Sequence, residues 1–369
     1  MSKLFSPIAL RGVELANRVA VSPMCQYQAI DGSAIDWHLV HLGQLSMGGA
    51  GLLFVEATGV SRVGRITHGC LGLYSDDNEV SLRRAVEFCR RYGTSKLGIQ
   101  LAHAGRKAST HVPLAGGAPL KADEDAWIAE TPSALPYADT WHTPRALDDE
   151  GLVRTKQAFV QATRRAARLG FDVVELHAAH GYLLHEFMSP ISNQRSDGYG
   201  GSSAKRMRFP LEIFAACRAV WPADKPMGVR ASATDWVEGG WTPEETVVLA
   251  RELKGLGCDY IDVTSAGLDP RQKIPFGPGY QVHLAEKIRR EAGIPTMAVG
   301  MITDAHQAEA IIASGKADMV ALARSMMLDP RWAWHAAQAL GAEAALPPNY
   351  ARAHPRNWPQ AFPEKKAAE

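Results

Sequence analysis

The sequence predicts an α/β fold, a single (β/α)8 barrel of the TIM type, and three observations carry the prediction. Eight short β-branched or apolar runs recur along the 369-residue chain, at 17–22, 51–58, 96–103, 172–179, 226–232, 260–266, 295–300 and 319–324. Most lack strict polar/apolar alternation, which is the pattern of strands covered on both faces. Each run is followed by a helix-like stretch, and eight strand–helix alternations match the repeat of a closed barrel. A doubly wound open sheet is the main competitor. Periodicity does not exclude it, but the count of eight favours the barrel.

The elements can be justified in chain order. The first run, NRVAVS, leads into Ser22-Pro23-Met24-Cys25-Gln26-Tyr27, and GLLFVEAT and KLGIQLAH supply the second and third strands. Residues 105–147, rich in Pro, Gly, Ala and Trp, form a long insertion expected to cap the active site. Phe159, Thr163 and Ala166 mark the inner face of a helix that Gly170 should stop, just before the fourth strand, DVVELHAA. After the fifth strand, PMGVRAS, Thr242-Pro243-Glu244-Glu245 offers an N-cap, a first-turn proline and a capping-box glutamate. Leu249, Leu253 and Leu256 continue that helix to Gly257, ahead of YIDVTSA. Beyond the seventh strand, PTMAVG, Thr303-Asp304 opens a helix through Ile311 and Ile312 to Gly315, and MVALAR is the eighth strand. We therefore expect one barrel over 1–345 and a tail over 346–369. The tail prolines should deny a helix, while Tyr350, Arg352 and Trp358 are interface-type side chains.

Composition narrows the function. Lys and Arg number 40 against 39 Asp and Glu, so the basic excess of a general nucleic-acid or anionic-membrane binder is missing. Hydrophobic residues make up 46% and charged residues 21%, enough apolar material for a large core. No apolar run approaches the length of a bilayer span, and the N-terminus lacks a signal-peptide core. Five scattered cysteines, never CxxC, argue against a disulfide scaffold or zinc ribbon. A cytoplasmic enzyme is the expectation.

In a barrel of this type, chemistry sits at the C-terminal ends of the strands. Those ends carry Ser22 through Tyr27, Ala57, Gln100, His177, His180, Tyr182, Arg230, Gly300, Ala323 and Arg324. His177 and His180 could ligate a metal with Glu175 or Glu186 nearby, form a structural pair, or grip a substrate oxygen beside the proton donor Tyr182. The residues alone leave all three open, and a metal-dependent hydrolase is the rival enzyme. A Schiff-base aldolase is weaker, because YIDVTSA holds no lysine. A barrel that only binds is the non-enzymatic rival. Cys25 is either a small buried hydrophobe or a nucleophile awaiting a base. Arg230, inside a strand, needs an anionic or hydrogen-bonding partner, and Gly300 with Arg324 fits the common phosphate site of strands seven and eight. GxGxxG, Walker A and HExxH motifs are absent.

The order LFSPIALRGVELANRVAVSPMCQY, DWHLVHL, IQLAHAGRKAS, ELHAAHGYLLHEFMSPISNQRSDGYGGS, RMRFPLE and VALARSMMLDPRW resembles the Old Yellow Enzyme family of FMN-dependent ene-reductases. The similarity is to its thermophilic-like branch, which includes xenobiotic reductase A, and it spans nearly the whole chain. It implies FMN contacts from Ser22, Pro23, Met24, Cys25, Ala57, Gln100, Arg230, Gly300, Ala323 and Arg324. It implies a substrate pocket lined by Tyr27, His177, His180 and Tyr182, with NADPH or NADH as reductant and an α,β-unsaturated carbonyl as substrate. The match to PPNYARAHPRNW further implies that Arg352 enters a neighbouring subunit's site, in a homodimer or homotetramer. Ala323 stands where the family often has Gly, and Val299 where xenobiotic reductase A has a pocket tryptophan.

Overall fold

The computed structural model describes residues 2–357 and 360. Its eight parallel strands are β1 (Val19–Val21), β2 (Leu52–Gly59), β3 (Lys96–Ala102), β4 (Val173–Ala178), β5 (Met227–Ser232), β6 (Tyr260–Thr264), β7 (Thr296–Ala298) and β8 (Met319–Leu322). They close in chain order, β8 pairing with β1, so the sheet is a barrel and the open-sheet alternative falls. Every expected strand is present, most of them trimmed by a residue or two at the ends.

Eight helices cover the outside: α1 (Asp36–Ser46), α2 (Asp76–Tyr92), α3 (Asp149–Leu169), α4 (Ser203–Arg218), α5 (Pro243–Gly255), α6 (Val282–Ala292), α7 (Ala305–Ala313) and α8 (Trp332–Ala339). The caps follow the sequence. The Thr242 hydroxyl accepts from Glu245 N–H while Glu245 reaches back to Thr242 N–H, and Gly170 closes α3 at φ 85°. Phe159, Ala162 and Ala166 of α3 are fully buried against the barrel.

An N-terminal hairpin, Ile8–Leu10 with Val13–Leu15, was not expected. Leu10 and Leu15 join Phe54, Val173, Tyr260, Met297 and Met319 in one apolar cluster, so the hairpin plugs the N-terminal end of the barrel. The alternation in IALRGVEL, with Arg11-Gly12 between the strands, was its available signal.

Register decides what faces the mouth. Gln100 pairs with Glu175, His177 with Arg230, and Arg230 with Asp262, placing polar side chains of β3 to β6 side by side. A bulge in β2 between Val55 and Ala57 gives Glu56 a separate direction: it accepts from Gln26 N–H at 3.0 Å and lies 3.5 Å from His38.

The insertion starts with a 3₁₀ turn at Gly105–Lys107 and pairs Glu130–Thr131 with Arg145–Ala146. It leans over the mouth: Arg106 donates to Leu268 O at 2.8 Å, and Lys107 Nζ donates to His180 O and Gly267 O, both at 2.9 Å. The tail corrects one expectation. Its prolines deny an α-helix but open two 3₁₀ turns, Pro348–Ala353 and Pro355–Asn357. Trp358 lies outside the described residues. Among the described residues, no helix is long and apolar enough to cross a membrane.

Candidate active site

The segment after β1 starts buried at Ser22 and becomes half-buried at Cys25, Gln26 and Tyr27. Tyr27 takes φ 56°, a conformation unfavourable for a side chain, and its hydroxyl lies beside the Cys25 thiol. Burial first, and then the nearby Glu56, pushes the Cys25 thiol well above the usual range. Such a thiol stays protonated at neutral pH, which disfavours the nucleophile reading.

His177 is the last residue but one of β4 and His180 begins the following turn at φ 59°. Two glycines lock that turn. A methyl group on Gly181 would come 2.2 Å from Gly267 O, and one on Gly267 would come 2.5 Å from the His180 Cα, so the turns after β4 and β6 touch backbone to backbone. The imidazoles lie 5.2 Å apart edge to face, with the Tyr182 ring 4.9 Å from His177.

Hydrogen bonds fix the protons on this pair. Ala179 N–H donates to His177 Nδ1 at 3.2 Å, so the neutral ring carries its proton on Nε2, which faces His180 Nδ1 at 3.4 Å. His180 Nε2 then donates to Thr264 Oγ1 at 3.0 Å, and Thr264 passes its own hydrogen to Gln281 Oε1 at 3.3 Å. Burial, reinforced by the positive charge of Arg230, keeps both imidazoles well below their ordinary pKa. Both are therefore neutral. Tyr182 is driven well above the usual phenol range, again chiefly by burial, and holds its proton. Lys107 Nζ sits 5.4 Å above the Tyr182 ring and is lowered to about 8 by its own burial.

Deeper in the barrel, Gln100 Nε2 donates to Glu175 Oε1 at 2.8 Å, and the Arg230 Nε lies 3.1 Å from Asp262 Oδ2. On the far side of the mouth, Gly300 follows β7 at φ 112°, where a Cβ would come 2.7 Å from Gln281 Nε2. Arg324 opens a short helix, Arg324–Leu328, directly after Ala323, and is exposed. Tyr280 lies within electrostatic reach of both Arg324 and Arg230, which ties the two arginines to one opening.

The structure thus brings every expected residue except Arg352 to the C-terminal mouth. Arg352 is exposed on the first tail turn. That tail runs beside Ala16 and Asn17, at the opposite end of the barrel, and Tyr350 stacks near Trp334 of α8. Val299 is buried in the apolar cluster inside the barrel, while Met301 stands half-exposed at φ 50° near the mouth. Glu175, weighed only as a metal neighbour, accepts from Gln100 instead, and among the described residues no three His, Cys, Asp or Glu side chains are grouped to hold a metal. The sequence reading missed Lys107, Tyr260, Asp262, Thr264 and Gln281. Asp262 had a signal: it is a charge inside an apolar strand, as Arg230 is.

Guanidinium and amide donors rise from β3 and β5, a glycine turn and an arginine follow β7 and β8, and two neutral imidazoles face a phenol. The family described as NADH:flavin oxidoreductase / NADH oxidase matches residues 3–343. This chain belongs to that family, the Old Yellow Enzyme family. The NADPH dehydrogenase of Geobacillus thermodenitrificans is 43% identical over 351 residues, covering 95% of this chain and 98% of that relative. The NADPH dehydrogenase of Bacillus subtilis is 42% identical over 352 residues, covering 95% and 98%. Among solved structures, morphinone reductase superposes with a TM-score of 0.77 at 28% identity, covering 94% of this chain and 91% of that one. As a member of this flavin oxidoreductase family, the chain is an α/β barrel enzyme that works with a flavin and a nicotinamide.

The residues present fit FMN. Arg230 has Asp262 as its polar partner on the inner side, and its outer end is available to an electron-rich ring edge. A side chain at Gly300 would collide with Gln281 and Tyr280, so only glycine lets the turn after β7 pack this closely, and the exposed Arg324 suits a phosphate.

Proposed function

We propose that the protein is an NADPH-dependent ene-reductase that reduces the C=C bond of α,β-unsaturated carbonyls and related electron-poor alkenes. Bound FMN would supply the hydride chemistry, taking hydride from reduced nicotinamide and passing it to the alkene. Ser22, Pro23, Met24, Cys25, Ala57, Gln100 and Arg230 hold the ring system in this reading, and Gly300, Ala323 and Arg324 hold the phosphate. Arg230 also offsets the negative charge of the reduced ring.

The protein's own part is orientation and proton placement. His177 and His180 are neutral imidazoles whose Nε2–H groups are engaged by His180 and Thr264; in this reading a substrate carbonyl oxygen displaces those partners and accepts the N–H groups instead. Their hydrogen bonds strengthen as negative charge grows on that oxygen, which polarises the alkene. Tyr182 keeps its proton and stands next to His177, and in this reading it is the group that protonates the α-carbon. Tyr27 lines the same pocket, and Cys25 tunes the ring as a thiol. Arg352 serves the site of a second subunit, since its tail leaves along the opposite end of its own barrel; the working form is then a dimer or a dimer of dimers.

The observation that carries this reading is the neutral His177–His180 pair beside a protonated Tyr182, facing the same mouth as Arg230 and Gln100. The test is an anaerobic titration of the purified protein, first with NADPH and then with cyclohexenone. We expect the flavin band to bleach and then return with one equivalent of saturated ketone formed. A colourless protein that cannot be loaded with FMN, or a reduced one that ignores enones, refutes the proposal.

A further inference from the structure

Two carboxyl groups and one guanidinium are enclosed beneath the mouth. Glu175 of β4 and Asp262 of β6 are both 0% exposed, on either side of Arg230 of β5. Glu175 accepts from Gln100 Nε2 at 2.8 Å and bonds the Tyr260 hydroxyl at 3.2 Å. To reach it, the Tyr260 ring crosses over Gly228, where a Cβ would lie 2.2 Å from the ring. Asp262 has Arg230 Nε at 3.1 Å, but the approach is off-line, and among the described residues neither Asp262 oxygen accepts a hydrogen bond.

Charge counting then limits the resting state. The groups facing Glu175 are Gln100 on β3, Arg230 on β5, Tyr260 and Asp262 on β6, and Cys258 just before β6, and Arg230 is the one cation among them. Two ionised carboxylates beside one arginine would leave a buried, uncompensated charge, which is costly. One proton therefore resides on the pair. The pair shares that proton: Asp262 has Arg230 against it, and Glu175 has the Gln100 and Tyr260 donors. Burial and the neighbouring Asp262 raise Glu175 above the usual carboxylate range.

Resting on the flavin reading above, we infer that Glu175 and Asp262 are positioning residues that act through Gln100 and Arg230 and couple reduction of the bound flavin to proton uptake inside the barrel. Reduction by two electrons and one proton, the equivalent of a hydride from reduced nicotinamide, adds one negative charge to the ring that Arg230 would hold. Where the pair already carries its proton, nothing further is taken up. At higher pH, where the pair has lost it, the pair takes one proton from solvent as the ring is reduced, so two protons accompany two electrons.

The test is the midpoint potential of the FMN-loaded protein between pH 7 and 9.5, read against a reference dye. A two-electron couple moves about 30 mV per tenfold change in proton activity for each proton taken up. We expect one-proton dependence near pH 7 and a doubled slope toward pH 9.5. Glu175→Gln should keep the single-proton slope throughout and be easier to reduce than wild type at pH 9. Asp262→Asn, which leaves Glu175 as the sole anion beside Arg230, should move the break to lower pH. A wild-type slope that never changes between pH 7 and 9.5, or a break that survives in Glu175→Gln, overturns the inference. The wild-type curve decides the matter even if a variant fails to fold. Failure to bind FMN at all overturns the flavin reading instead.

Discussion

Gly181→Ala tests how rigidly the histidine pair is held. Gly181 has φ +72°, and its new methyl would lie 2.2 Å from Gly267 O and 2.8 Å from the Leu268 Cα, all of it backbone that cannot rotate away. The left-handed conformation alone costs a non-glycine residue about 1–2 kcal/mol. Forcing two backbones apart adds about 1–3 kcal/mol, the range for overpacking a filled site. Gly201→Ala is the control: φ is +84°, nothing lies within 4 Å, and only the conformational cost applies. Thermal unfolding of both variants at one FMN concentration should place Gly181→Ala at about 2–5 kcal/mol below wild type and Gly201→Ala at about 1–2. The His180 turn should shift by about 1 Å, so enone turnover should fall on the order of a hundredfold in Gly181→Ala. Equal stabilities for the two variants, with enone turnover intact, would refute the idea that the turns after β4 and β6 hold each other.

Other consequences are more easily checked. Because the Cys25 thiol is raised, iodoacetamide should label it slowly at pH 7, and Cys25→Ser should shift the flavin potential and Michaelis constants yet retain turnover; a covalent substrate adduct on Cys25 would contradict this. His177 and His180 are depressed, so they gain no proton as pH falls through the ordinary histidine value near 6.5; below the titration of Lys107, affinity for a neutral carbonyl ligand should stay flat from pH 7 to 6, measured by flavin difference spectra, and a break near 6.5 would show a titrating imidazole. Lys107→Met removes the ammonium that bridges His180 O and Gly267 O, and should lower enone turnover more than flavin reduction, checked by separate half-reaction kinetics. Arg352→Ala should raise the Michaelis constant for substrate without releasing FMN, and mixing it with Tyr182→Phe should restore activity in hybrid oligomers if the arginine acts across subunits; no regain leaves it as surface.

The barrel was legible because its strands are buried on both faces and therefore read as apolar runs, and because caps such as Thr242 and stops such as Gly170 are local features. Residues at strand ends could be named for the same reason: a barrel fixes which end does chemistry. What stayed hidden depends on register and on contacts across the chain. Asp262 faces Arg230 through strand pairing, and Lys107 reaches His180 from an insertion 73 residues away. The β2 bulge that redirects Glu56 leaves no pattern in GLLFVEAT. The hairpin Ile8–Leu15 was short enough to pass as loop, although its alternation was visible. The tail prolines signal only a broken helix in the sequence, whereas proline at the first position suits a 3₁₀ turn.

The central claim is that the neutral imidazole pair and the protonated phenol serve transfer to the alkene, separately from loading of the flavin. Rapid-mixing kinetics of His177→Ala and Tyr182→Phe, with the two half-reactions measured apart, test it most directly. Removal of one donor from a charge-stabilising set typically costs about 10²–10³ in rate. We predict a loss of that order for reoxidation by cyclohexenone in His177→Ala, a clear slowing in Tyr182→Phe, and flavin reduction by NADPH in Tyr182→Phe close to wild type. Slowing of flavin reduction alone, with enone reoxidation untouched in both variants, would contradict the account.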